Sequence, residues 1–133
     1  MTTIILPGLV LPSLNTQLRL HWARRRRLKE LCHIALRTST ARWQVTEATS
    51  KRRLTITRVG GKAMDVDNLH GAVKPLVDAI NDRGWLVDDS PTWCELDVRQ
   101  RPRFRGECAG YVVQIEDCEK CLTEKAKCEM VVE

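Results

Sequence analysis

The stretch from Asp65 to Asp89 constrains this chain more than any other, because it sets one amphipathic helix between two acidic clusters. Val73, Leu76, Val77 and Ile80 follow the i, i+3, i+4, i+7 spacing of a buried helical stripe, so one face is committed to a core. At ~100° per residue, Asp67, Lys74 and Asp78 fall close together on a different face, giving a polar line along the helix. Asp65 and Asp67 stand just ahead of it, where an extended backbone sends alternate side chains to one side. Gly84 fits a helix stop, and Trp85-Leu86-Val87 then delivers Asp88 and Asp89 into a polar turn before Pro91.

Clustered carboxylates suit a hard cation such as Mg²⁺ or Mn²⁺, which keeps several waters and accepts phosphate oxygens as further ligands. An ion of this kind polarises a phosphodiester and acidifies an attacking water. Lys74 would add a point charge where negative charge develops. A plainer account uses the same residues: Asp67 or Asn68 caps the helix, Lys74 and Asp78 form an i, i+4 surface pair, and Asp88 and Asp89 shape a turn. Spacing alone leaves both open.

The run Asp65-Val66-Asp67-Asn68-Leu69, then Lys74 and Asp78, then Asp88-Asp89, resembles the RusA family of Holliday junction resolvases, small bacterial and phage-associated endodeoxyribonucleases. Leu11-Pro12-Ser13-Leu14-Asn15, with Arg19 and His21 beyond, is similar to the opening Pro-Ser-x-Asn segment of that family. The resemblance implies a Mg²⁺ ion, with Mn²⁺ as a substitute, held by Asp65, Asp67 and Asp89, with Asp88 assisting and Lys74 needed for cleavage. It also implies branched DNA as substrate, a role in DNA recombination and repair, and a homodimer, since symmetric cutting of a junction needs two active sites. Two departures stand out. Gly71 occupies the spacing of the family's lysine, with Lys74 just under one helical turn further on, and Lys62 stands alone where the family has a basic run.

Length and charge fit this expectation. A chain of 133 residues, 43% hydrophobic, suits a single domain with its own core, which must be mainly aliphatic with some of the four Trp because Phe and Tyr occur once each. Residues 1–105 carry 19 basic against 10 acidic side chains, and residues 106–133 carry 3 against 7, which favours a polyanionic partner for the first part. The N-terminal segment has no basic leader and is broken by Pro7 and Pro12, and no apolar run approaches the ~18 residues of a membrane span. The expectation is a cytoplasmic protein of a bacterial or phage-infected cell, without membrane association. No Gly-rich phosphate loop or Ser/His/Asp nucleophile arrangement is present.

Read in order, the chain predicts a strand over residues 2–6, a helix from about Gln17 with Leu28, Leu31, Cys32 and Ala35 inward, and a strand over residues 51–59. The central helix follows, then strands over residues 92–99 and 109–115. The expected fold is α+β, a mixed β-sheet with two main helices in β-α-β-α-β-β order, RusA-like over residues 1–116, with a cysteine-bearing tail at 117–133. Arg24 and Arg25 of the Arg24–Arg27 run, with Lys62, Arg101 and Arg103, are the candidate DNA phosphate contacts. Arg99, Arg101, Arg103 and Arg105 alternate as if along one face of a ribbon, which Pro102 and Gly106 suggest bends into a loop.

Cys118-x-x-Cys121, with Cys108 and Cys128, suggests a four-thiolate zinc site, but a second close pair is missing. The competing arrangement is a short C-terminal helix with Cys118, Cys121, Leu122 and Cys128 on one stripe; it spreads the thiols too far for one ion, and the spacing favours it. His21, His33 and His70 form no ligand pair by spacing, and His70 is expected as a polar surface residue. Two rivals to a nuclease remain: a non-catalytic junction-binding protein on the same scaffold, and an interaction or metal-binding adaptor acting through the tail.

Overall fold

Alternating aliphatic residues make a sheet with one face for helices and one for solvent. The computed structural model describes residues 1–39 and 44–118. Its elements are β1 (Thr2–Pro7), α1 (Leu14–Arg19), α2 (Trp22–Thr38), β2 (Arg52–Val59), α3 (Val66–Asp82), β3 (Cys94–Arg101) and β4 (Gly110–Asp117). The sheet order is β1-β4-β2-β3. β4 runs antiparallel to both β1 and β2, whereas β3 runs parallel to β2, with α3 as the crossover between them. The fold is α+β with a mixed sheet, as expected.

The register aligns Ile4 with Val113, Val113 with Ile56, and Ile115 with Leu54, so one continuous apolar face forms across three strands. Those residues are buried, together with Leu6, Tyr111 and, from α3, Val73, Leu76, Val77 and Ile80. The predicted α3 stripe is thus the centre of the core. The opposite face is polar: Arg53 pairs with Glu95 on β3 at 3.3 Å and with Glu116 on β4 at 3.2 Å.

Three local expectations are corrected. The first helical region is two helices, because Leu20 leaves the helix with extended backbone and His21 restarts it, its Nδ1 accepting the Ala23 N–H at 3.3 Å. Within α2, Cys32 and Leu36 are buried, while Leu31 is exposed because its position lies off that stripe. β3 starts and ends two residues later than expected, at Cys94 and Arg101, and the arginine series leaves the strand at Pro102 for a loop, as Pro102 and Gly106 suggested. Of the tryptophans at 22, 85 and 93, only Trp85 joins the core.

β4 reaches Asp117, and the Cys118 N–H donates to the Lys51 carbonyl at 3.0 Å, so sheet pairing continues past residue 116. The expected C-terminal helix is corrected at Cys118, which is buried and held to the sheet rather than helical, while Cys121, Leu122 and Cys128 lie outside the described residues. Among the described residues, no helix is long and apolar enough to cross a membrane.

Candidate metal and nucleic-acid site

Asp65 leaves β2's trailing loop in extended conformation and caps α3. Its Oδ1 accepts the Asn68 N–H at 2.8 Å and its Oδ2 accepts from Asn68 Nδ2 at 3.1 Å. The capping role foreseen for Asp67 or Asn68 therefore belongs to Asp65, while Asp67 sits in the first helical turn, where a carboxylate also meets the positive end of the helix dipole. The aspartates are not the same-side pair of an extended strand, because Val66 already begins the helix.

Asn68 links this cap to the N-terminal segment, its Oδ1 accepting the Asn15 N–H at 3.1 Å. Gln17, buried, donates from Nε2 to the carbonyls of Pro12 at 2.8 Å and Ala72 at 3.2 Å, so α1 is tied to α3 along one side. Gly71 permits that approach: a Cβ built there would meet Leu14 Cβ at 2.3 Å. The space that a side chain at position 71 would need is filled by Leu14. From the sheet side, Gln100 Oε1 accepts the Met64 N–H at 2.9 Å and Gln100 Nε2 donates to the Met64 carbonyl at 2.7 Å, fixing the residue before Asp65.

The second acidic cluster returns to α3 through Lys74. The ammonium is 2.9 Å from Asp78 and 3.1 Å from Asp89. The surface pair with Asp78 is thus present, and Asp89, fifteen residues on in sequence, joins it. The hydrogen bond from Lys74, reinforced by its charge, holds the Asp89 carboxyl below its ordinary pKa. Lys74 is raised in turn, chiefly by its hydrogen bond to Asp78.

The loop carrying Asp88 and Asp89 is anchored by a residue that sequence inspection passed over. Arg52, at the start of β2, is buried and donates from Nη1 to the carbonyls of Thr46 at 2.7 Å and Trp85 at 2.9 Å. Its Nη2 reaches Thr46 Oγ1 at 3.0 Å, and its Nε reaches Asp117 at 2.9 Å. The only sequence signal was a charged residue at an inward-facing end of an aliphatic strand.

These contacts put Asp65, Asp67, Lys74 and Asp89 along α3, but they do not close a pocket. Among the described residues, no three His, Cys, Asp or Glu side chains are grouped to hold one metal ion. The donor types fit a hard cation. Their spacing does not surround one, with Asn68 on both oxygens of Asp65 and Lys74 on Asp89. Asp88 and His70 are exposed.

The expected phosphate contacts are distributed. Arg24 and Arg25 are exposed on the first turns of α2, and Lys62 is exposed with its carbonyl accepting from Arg58 at 2.8 Å. Arg103 is exposed beyond the end of β3, whereas Arg101 is engaged by Glu107 through two 2.7 Å bonds. Compared with protein-family models, curated proteins and solved structures, the chain gives no match.

Proposed function

We propose that this chain is a divalent-metal-dependent phosphodiesterase acting on nucleic acid. More narrowly, it is a Mg²⁺-dependent, structure-selective endodeoxyribonuclease of RusA type, cutting four-way junctions or other branched DNA as a homodimer in recombination and repair. The observation that carries this reading is the Lys74–Asp89 ion pair, because it draws the second acidic cluster onto the same helix that begins with Asp65 and Asp67.

In this reading Asp65, Asp67 and Asp89 would hold the ion only after Asp65 leaves Asn68 and Asp89 leaves Lys74, and the ion would supply Lewis-acid polarisation of the phosphodiester and a more acidic water. Asp65 is held in orientation by Asn68, itself fixed from Asn15. Lys74 carries positive charge between Asp78 and Asp89, and release of Asp89 would leave that charge available to the developing negative charge on phosphate oxygens. Asp88 is exposed beside Asp89 and can orient water. Arg24, Arg25, Lys62 and Arg103 supply exposed charge for the DNA backbone.

A second reading is favoured by the engagement of Asp65 by Asn68 and of Asp89 by Lys74: a DNA-junction-binding protein on the same scaffold without catalysis. Incubating a labelled four-way junction with wild type in Mg²⁺ or Mn²⁺ separates the two. The nuclease reading expects paired nicks that Asp67→Asn reduces by at least about 100-fold, the scale of losing an electrostatic catalytic group. Wild type that binds the junction but cuts no better than Asp67→Asn would leave only the binding protein.

A further inference from the structure

The β3–β4 loop presents an aromatic ring to solvent on a braced, basic support. Phe104 is 64% exposed, the most exposed aromatic side chain among the described residues. Arg103 and Arg105 flank it, both exposed and neither in an ion pair with a described residue. Isolated surface aromatics are unremarkable. This one differs in how much structure holds it.

Arg101 forms a two-pronged bridge to Glu107, both bonds at 2.7 Å, and places its guanidinium 4.2 Å from the centre of the Phe104 ring. Glu107 Oε1 also accepts the Phe104 N–H at 2.9 Å, while the Glu107 N–H donates to the Phe104 carbonyl at 3.0 Å. That last bond closes a turn whose third residue, Gly106, has φ +81°, a conformation favouring glycine. Bridge, turn and cation–π contact together fix the loop from within. The loop also abuts the connection into Asp65: a Cβ at Gly60 would lie 3.1 Å from Ala109 Cβ and 3.6 Å from Arg103 Cβ.

We infer that Phe104 is a stacking platform for an unpaired DNA base, with Arg103 and Arg105 holding the adjoining phosphates. Three observations select this occupant. The exposed ring lies between two cations that have no ion pair among the described residues, which suits an aromatic polyanion better than an apolar protein surface. Its mounting is rigid, so little conformational freedom is lost on stacking. It lies on the side of the molecule where the chain enters Asp65. Bases are accessible for such stacking where strands are single or where a branch opens the duplex. Selectivity for branched over paired DNA then comes from Phe104, while the arginines bind any DNA backbone.

This inference rests on the nucleic-acid reading above but not on catalysis. It is tested by fluorescence anisotropy in EDTA, using the full chain with a labelled four-way junction, a single strand and a fully paired duplex of equal length. Phe104→Ala is expected to lose about 5- to 100-fold in affinity for the junction and the single strand, with duplex affinity kept within about 2-fold. Phe104→Trp should restore junction binding. Arg103→Gln with Arg105→Gln should weaken all DNAs together and flatten the salt dependence. Circular dichroism melting of each variant establishes that it is folded. Binding by Phe104→Ala equal to wild type on all DNAs, equal losses on all of them, no DNA binding by wild type, or an effect of Phe104→Ala on self-association alone would each overturn it. Phe104-dependent selectivity without nicking in Mg²⁺ would retain the inference and remove the nuclease reading.

Discussion

At the scale of single residues, Gly71 shows how a local preference is reversed by a neighbour. Alanine in a helix interior is ordinarily favoured over glycine by about 1 kcal/mol. At position 71 the added methyl would enter Leu14 at its Cβ, which can move only with α1 itself. We expect Gly71→Ala to destabilise the fold by about 1–2 kcal/mol in urea denaturation, since overpacking costs about 1–3 kcal/mol; a stabilised variant would contradict the close packing of α1 on α3. Glu107 gives a second test. Arg101, with the Phe104 N–H, pushes its pKa down to about 2 from an ordinary 4.5. A depressed carboxyl stabilises the fold above its unfolded pKa, and the contribution is lost as pH falls from about 4.5 through 2. The ¹³C shift of the Glu107 carboxyl should therefore titrate near 2, and a midpoint near 4.5 would show that the loop is not braced by Arg101. Sequence inspection found Arg101 as a cation in a basic series but had no means of pairing it with Glu107, because the turn that joins them is set by Gly106.

At the scale of elements, α3 was legible because its stripe is long and periodic, and all four predicted positions are buried. It even tolerates Pro75 in its interior, where the missing N–H removes one helical bond. The break between α1 and α2 was hidden for an opposite reason: Leu20 and His21 interrupt the helix without glycine or proline, and α1 is held by Gln17 bonds to distant carbonyls. Asp65's capping role was obscured because Asp65, Asp67 and Asn68 are all good caps, and only the backbone decides among them. Arg52 belongs to this scale too, since one guanidinium joins the start of β2, the segment near Thr46, the loop after α3 and the end of β4. Replacing it with Met should orphan two carbonyls and cost about 2–4 kcal/mol in chemical denaturation. Asp117→Asn, altering a half-exposed partner, should cost less than about 1 kcal/mol. Equal losses in the two variants would show that the Asp117 ion pair, not the carbonyl bonds, is what Arg52 contributes.

At the scale of the molecule, one half of the sheet serves the core and the other remains polar, while cations line the loop beyond β3 and the outer side of α2. The acidic clusters were legible as composition, and the helical spacing of Lys74 and Asp78 foreshadowed their pair, which Asp89 joins in the fold. What the sequence could not show is that Asp65 and Asp89 have internal partners, since Asn68 and Lys74 reach them only in the fold. The account therefore turns on whether Asp89 acts with Asp65 and Asp67 on one ion. Mn²⁺ binding to the full chain, followed by electron paramagnetic resonance, tests this most directly. The account predicts that Mn²⁺ binds wild type, and that Asp67→Asn and Asp89→Asn each weaken it by at least about 10-fold, the scale of losing one supporting or direct ligand contact. Binding that is absent from wild type, or that survives Asp89→Asn unchanged, would contradict it.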